Sequence, residues 1–404
     1  MRVLIALQHR CLRLADGTVW TRTMFPYTYW QRYLSAFDQV KILTRVQDTD
    51  EMPANWVRVD GDGVTVLPIP CYVGPWEYLW RARQVEQAAA QAADWQDAVI
   101  LRVPSHSIAG YVARKLRQVG HPYAVEVVAD PYHLFAPGCI KNPLRPYLRW
   151  ALTTQQQRQC AGACAALYVT QASLQQLYPC PGYVTGVSDV ELTDNDIVGI
   201  PRQPVTGPLT ILSIGTMQEV YKGFDVLIDA VAHGIRRGLN LRLVLIGEGK
   251  YRPALAAQAA RLGLGDRVEF TGELTMGAEV RHRLDQADLF VLPSRSEGCP
   301  RVLIEAMARA LPCLGSDVGG IPELLSSEDL VPAGNSVALA QAIATVATDL
   351  DRRLRMSARN LCTALDYRED ILDTRRQEFF QHLRERTAKW ISARAHTAPL
   401  TELA

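Results

Sequence analysis

Two glutamates with seven residues between them flank the start of a helix, Glu297 in the polar stretch Ser294-Arg295-Ser296-Glu297-Gly298-Cys299 and Glu305 in Arg301-Val302-Leu303-Ile304-Glu305. Before them the apolar run Leu289-Phe290-Val291-Leu292 reads as a buried strand that stops at Pro293-Ser294. Pro300 suits the first helical position, where its missing N–H would be unbonded anyway. Free N–H groups and the helix dipole make that first turn a site for an anion such as a diphosphate. A carboxylate on each side of such a turn can grip hydroxyl pairs on a ligand whose middle is phosphate. A nucleotide sugar has that layout, with hexose hydroxyls, then diphosphate, then ribose hydroxyls. The plainer alternative is a loop carboxylate capping a helix and a solvated helix residue.

The elements that must position these groups follow from periodicity. Strand candidates in the first half are 3–7, 40–43, 64–67, 98–101, 123–128 and 166–169; in the second they are 209–214, 241–246, 268–270, 289–292, 312–314 and 329–331. Helical periodicity fills the gaps, as in 224–237, 253–262 and 301–310. Strands alternating with helices predict parallel, doubly wound α/β sheets, and two such series predict two Rossmann-like domains. The stretch Pro201-Arg202-Gln203-Pro204-Val205-Thr206-Gly207-Pro208 continues neither a helix nor a central strand, so it is expected to be the linker. The expected division is 1–200, linker 201–208, 209–351, and a helical tail 352–404 that packs back toward the first domain.

At 404 residues, 48% hydrophobic and 21% charged, the chain has the balance of a globular protein of two domains. A net charge of +1 gives no reason to expect a nucleic-acid partner. Nine scattered cysteines without a C-x-x-C pair suggest reduced thiols in the cytoplasm rather than a disulfide framework or zinc site. The first apolar run reaches Gln8 and His9 too soon for a secretory signal, and no run of about 18 apolar residues exists. Membrane contact is therefore expected to be peripheral, at the inner face. The basic and aromatic segment Lys141–Trp150 reads either as an anionic-membrane contact or as the solvated start of a helix, and its small charge favours the second.

The spacing from Glu297 to Glu305 resembles the E-x7-E motif of the retaining family-4 glycosyltransferases, which have the GT-B fold of two Rossmann-like domains facing across a cleft. Gly215 followed by Tyr221-Lys222-Gly223-Phe224-Asp225 is similar to that family's phosphate-binding turn and first helix. Gly247-Glu248-Gly249, Val268-Glu269-Phe270-Thr271-Gly272 and Val318-Gly319-Gly320-Ile321-Pro322-Glu323 follow in the family's order. The resemblance implies a hexosyltransferase that takes its sugar from a nucleotide-diphosphate donor and keeps the anomeric configuration. It implies that Glu297 holds the sugar's hydroxyls, Glu305 those of the ribose, and that Lys222 neutralises the leaving diphosphate with the backbone N–H groups of Gly298, Cys299, Arg301 and Val302 around Pro300. Gly215, Thr216 and Gly247 would line the phosphates; Phe270, Gly272 and Leu274 would border the base. It implies no metal and no cofactor, since Lys222 and the helix N-terminus supply the positive charge. Many members have arginine where this chain has Thr216, so either another cation, Arg295 or Arg301, replaces it or the clamp is weaker. A non-catalytic sugar-nucleotide binder of the same fold is the alternative that Thr216 keeps open.

The first half carries less. The family's glycine pair after its first strand has only Gly17 as counterpart. Asp130 and His133, after the strand ending near Val128, are candidates beside the reacting sugar, Asp130 as base or as orienter of an acceptor hydroxyl. Asp-Pro is equally a turn starter, and a lone histidine is equally structural. The aromatics from Trp20 to Tyr33 read as a sugar-stacking surface or as core. The acceptor would be a glycan or a lipid-linked glycan. A dinucleotide-dependent oxidoreductase is disfavoured because no G-x-G-x-x-G follows either first strand.

Overall fold

The computed structural model describes every residue except 23, 52–54, 93–95, 106, 138, 140–141, 204–205, 275–276 and 398–404. Pro204 and Val205 of the expected linker, Lys141, and the last seven residues of the tail lie outside the described residues.

The first domain is built on strands β1 (Arg2–Arg13), β2 (Val19–Thr21), β3 (Gln39–Asp48), β4 (Val57–Arg58), β5 (Val64–Pro70), β6 (Ala98–Val103), β7 (Ala124–Val127), β8 (Ala165–Tyr168) and β9 (Tyr183–Gly186). Its helices are α1 (Tyr27–Leu34), α2 (Gly74–Ala92), α3 (Ile108–Gln118), α4 (Pro131–Leu134), α5 (Arg145–Ala161) and α6 (Ser173–Leu177). Seven strands pair in parallel in the order β5-β3-β1-β6-β7-β8-β9. Because both faces of this sheet are covered, β6 reads Ala-Val-Ile-Leu-Arg-Val with every residue buried. β1 passes through a register shift between Ala6 and Arg10, stays paired with β3 to Arg13, and turns back as the hairpin strand β2. The expected strands were therefore right in place, but β2, β4 and β9, too short or too polar to show a period, were missed.

The second domain has strands β10 (Leu209–Ile214), β11 (Leu241–Ile246), β12 (Val268–Gly272), β13 (Leu289–Leu292), β14 (Cys313–Ser316) and β15 (Leu330–Val331). Its helices are α7 (Phe224–Arg236), α8 (Arg252–Arg261), α9 (Ala278–Gln286), α10 (Arg301–Ala308), α11 (Ile321–Leu324), α12 (Ser336–Thr348) and α13 (Leu350–Leu365). The strands are all parallel in the order β12-β11-β10-β13-β14-β15, so the winding reverses between β10 and β13.

The last helix, α14 (Glu369–Thr397), leaves the second domain and packs against β8 and β9 of the first. Phe380 is fully buried and its ring lies 4.8 Å from that of Tyr33. Of the expected tail 352–404, α14 packs back on the first domain, whereas α13 lies against α10 of the second. Before the linker, Val198 N–H already bonds Ala308 O at 3.0 Å, and Arg309 reaches Asp196 O at 3.1 Å, so the chain is seated on the second domain ahead of residue 200.

Candidate functional site

In a doubly wound sheet the carboxyl ends of the two strands flanking the reversal splay apart and leave a crevice. Here those are β10 and β13, and the two chain segments that leave them carry Lys222 and Glu297. After β10 a short 3₁₀ turn, Val220–Lys222, ends at Gly223, which has φ 70°. A Cβ on Gly223 would lie 2.0 Å from Pro293 O, so only glycine lets this turn close on the segment after β13. That approach brings Lys222 Nζ to 2.7 Å from Glu297 Oε1, and Ser294 Oγ donates to the same oxygen at 2.6 Å. From the other side Gly320 N–H donates to Gly298 O at 2.8 Å, and a Cβ on Gly319 (φ 56°) would meet Glu297 O at 1.9 Å. Gly319 and Gly320 are thus the backing of the Glu297 loop.

The other predicted glycines stitch the strand ends together. Gly215 N–H donates to Ile246 O at 3.0 Å, and Gly247 N–H donates to Gly272 O at 2.8 Å. Gly247 has φ 140°, and a Cβ there would lie 1.9 Å from Gly215 O. Phe270 and Gly272 are half-buried at the end of β12, and Leu274 just beyond leans on the core. Thr216 is exposed, and its Oγ accepts the N–H of Gln218 at 3.2 Å, so it closes a turn.

Helix α10 spans Arg301–Ala308, so Pro300 precedes the first helical residue. Pro300 has ψ 102° and serves as the cap, its carbonyl accepting Leu303 N–H at 3.0 Å. The two candidates for the substitute cation differ in their bonding. Arg295 is committed, holding both Asp225 oxygens at 2.8 and 2.7 Å and the carbonyl of Val220 at 2.7 Å, which braces the turn that carries Lys222. Arg301 is exposed and has no ion pair among the described residues. Cys299 turns its thiol toward Ser188 Oγ of the first domain at 3.7 Å, and burial raises its pKa to about 12. Val302 is half-buried in the first turn of α10.

Arg301 and Glu305 face a cavity of about 950 Å³ between the domains, which Arg281 also lines from the second domain. Burial raises the Glu305 carboxyl above the usual glutamate range, opposed by the nearby Arg301 charge. Lys222 and Glu297 form one cluster and Arg301 and Glu305 another, at successive levels of the same loop and helix.

The first-domain wall of the cavity contains a network that sequence reasoning did not assign. Arg102 on β6 stands in register with Glu126 on β7 and bonds it at 2.7 Å. Arg102 also donates to Tyr29 OH at 2.8 Å and pairs with Asp189, while Tyr33 OH donates to Glu126 at 2.7 Å. Burial alone would raise the Asp189 carboxyl, but Arg102 and then Arg32 hold it below the usual range. The available signal was a charge inside each of two wholly apolar strands. The aromatic stretch divides: Trp30 and Tyr33 are core, whereas Phe25 and Tyr29 line the cavity.

Two expected first-domain residues have local partners of their own. Gly17 is the exposed tip of the β1–β2 hairpin, with φ 86° and its N–H bonded to Leu14 O at 2.9 Å, and it does not line the cavity between the domains. β1 continues as a strand where the expected glycine turn would lie. Asp130 is fully engaged by its neighbours. It caps α4, accepting Tyr132 N–H at 2.8 Å, and its oxygens also take Tyr178 OH and His133 Nδ1. Burial would raise its pKa, yet these hydrogen bonds hold it below the usual range. Asp130 therefore orients His133, whose ring is partly exposed. A Cβ on Gly298 would lie 3.0 Å from Val128 O, so the end of β7 and the α4 turn sit beside the Glu297 loop.

Among the described residues no group of three His, Cys, Asp or Glu is placed to hold a metal ion, and no helix is long and apolar enough to cross a membrane.

The sequence profile of the glycosyl transferases group 1 matches residues 208–349, the second domain. The chain is 26% identical over 322 residues to Protein CapJ of Staphylococcus aureus, covering 79% of this chain and 80% of that protein. It is 36% identical over 152 residues to the putative colanic acid biosynthesis glycosyltransferase WcaL of Escherichia coli, 35% of this chain and 37% of that one. Among solved structures, sucrose-phosphate synthase from Thermosynechococcus elongatus superposes with a TM-score of 0.70 at 17% identity, over 95% of this chain and 99% of that one. Anabaena HepE in complex with UDP and glucose gives 0.57 at 16% identity, over 96% and 99%. These two likenesses speak for the two-domain GT-B fold.

Proposed function

We propose, from a second domain that belongs to the glycosyl transferases group 1, that this glycosyltransferase moves a hexose from a nucleotide-diphosphate sugar to a glycan or lipid-linked acceptor. The transfer retains configuration and needs no metal ion or other cofactor. The observation that carries the reading is the Lys222–Glu297 ion pair at the reversal of the second sheet, one step before the helix that bears Glu305. Glu305 takes the ribose hydroxyls. The N-terminus of α10, Lys222 and Arg301 take the diphosphate, and Glu297 takes the hexose hydroxyls. Lys222 and the α10 N–H groups stand where negative charge grows as the C1–O bond to phosphate breaks. The acceptor oxygen bonds C1 on the face the diphosphate leaves, and its proton goes to the departing phosphate oxygen. His133, oriented by Asp130, sits on the acceptor side of that reaction.

The test is a thermal-shift panel with UDP, GDP, ADP, dTDP and CMP, run beside Glu305→Ala. One diphosphate should raise the melting temperature of the native chain and not of the variant, which also names the donor nucleotide. No shift with any nucleotide would sink the reading. A shift without slow hydrolysis of the matching sugar nucleotide would favour the non-catalytic binder that an exposed Thr216 permits.

A further inference from the structure

Two aromatic stripes stand on the outer side of the first domain. On α2, Trp76 and Trp80 are 76% and 89% exposed. Leu79 and Arg83 complete a stripe at helical spacing, on the side opposite the core-facing Val85 and Ala89. On α5, Tyr147 and Trp150 are exposed with rings 6.1 Å apart, opposite the buried Gln156 and Cys160. Both helices cover the same face of the first sheet, with α3 between them. Gly110 of α3 closes on Gln155 of α5, and Arg114 of α3 pairs with Glu86 of α2 at 3.3 Å. The stripes therefore belong to one continuous layer.

The charge on this layer is predominantly positive: α2, α3 and α5 carry eight lysines and arginines against two acids, Glu77 and Glu86. From residue 131 to residue 188 the sequence has no aspartate or glutamate, yet it includes Arg145, Arg149 and Arg158. On α2, Arg81 and Arg83 are exposed beside the stripe. This excess stands out in a chain whose net charge is only +1. Exposed tryptophan and tyrosine flanked by arginine match the boundary between headgroups and acyl chains, with the rings at the boundary and the cations on anionic headgroups. A second copy of the chain fits less well, because a two-fold contact would set the arginines of this face against themselves.

We propose that the outer face of α2 and α5 docks the protein on an anionic lipid surface. The helices on this layer start at the carboxyl edge of the sheet, the edge at which Val128 and Val169 line the cavity between the domains. Docking there brings the mouth of the cavity to the headgroups, which selects a lipid-linked acceptor over a soluble glycan. That acceptor class rests on the glycosyltransferase reading; the docking itself does not.

The experiment is flotation of the full chain with phosphatidylglycerol–phosphatidylcholine vesicles and with phosphatidylcholine alone, alongside size-exclusion light scattering. The native chain should float with the anionic vesicles only. Trp80→Ser/Trp150→Ser and Arg81→Glu/Arg83→Glu should each partition about tenfold more weakly. Both variants should keep the nucleotide-dependent thermal shift, which shows that they are folded. The proposal is overturned if the native chain stays behind, if both folded variants float as well as it does, or if a native dimer becomes a monomer in the tryptophan variant. Flotation without any nucleotide shift would leave docking standing and remove the transferase reading.

Discussion

Lys222 has two calls on its charge, Glu297 at 2.7 Å and the diphosphate of the donor. Replacing it should leave the fold in place, because its side chain supports no core, while the departing phosphate loses its cation. Lys222→Ala is expected to lower kcat by about a hundredfold or more, as read in a donor-turnover assay, since a preorganised charge acts mainly on the transition state. Unchanged turnover and nucleotide affinity would show that the clamp is elsewhere. Glu305 gives a prediction of opposite kind. Its folded-state pKa is raised by burial, so the ionised form is disfavoured in the folded protein and neutralisation relieves that. Binding ribose hydroxyls needs the carboxylate. Nucleotide affinity measured by calorimetry should therefore fall on acidification at a pH above the ordinary glutamate value of about 4.3. Glu305→Gln should bind about ten- to a hundredfold more weakly at neutral pH and lose that pH dependence. The same variant should melt no lower than the native chain, which separates a binding role from a structural one.

At the scale of elements, the site is a set of strand ends that can touch only where side chains are missing. Gly319→Ala would combine a positive φ with a Cβ 1.9 Å from Glu297 O. It should cost about 1–3 kcal/mol in chemical denaturation and abolish the nucleotide-induced thermal shift, because the Glu297 loop must move. A variant with native stability and native shift would show that this backing is dispensable. These glycine clusters were legible in the sequence, because a glycine forced by close approach leaves a mark at a fixed spacing. The α10 turn and the places of the strands along the chain were legible for the same reason, since apolar runs and breakers record buried strands directly. Asp130 and Gly17 were not, because a short polar turn reads alike whether it faces a ligand, caps a helix or tips a hairpin. Arg102 and Asp189 lie 87 residues apart and pair only through the fold, so no local pattern announces them. Arg295 and Arg301 were equal candidates in the sequence, and only the bidentate grip of Arg295 on Asp225 separates them.

At the scale of the whole molecule, the two domains meet through few but specific bonds. Glu323 of α11 receives the backbone N–H groups of Gln171 and Ser173, both at 2.6 Å, and so caps α6 of the opposite domain. These are hydrogen bonds to a carboxylate across the mouth of the cleft, and their loss frees the domains to separate. Glu323→Ala should raise KM for the donor several-fold with a smaller effect on kcat, and small-angle scattering should report a larger radius of gyration. An unchanged radius would mean that the domains are held by other contacts, α14 first among them. That helix has a consequence for how the chain is made. Its 29 residues follow the whole second domain in the chain, yet Phe380 packs on Tyr33 of α1 and on Phe37 just beyond it, in the domain that precedes. While the ribosome completes the second domain, the first keeps Tyr33 and Phe37 uncovered, and only the emergence of α14 seals that surface.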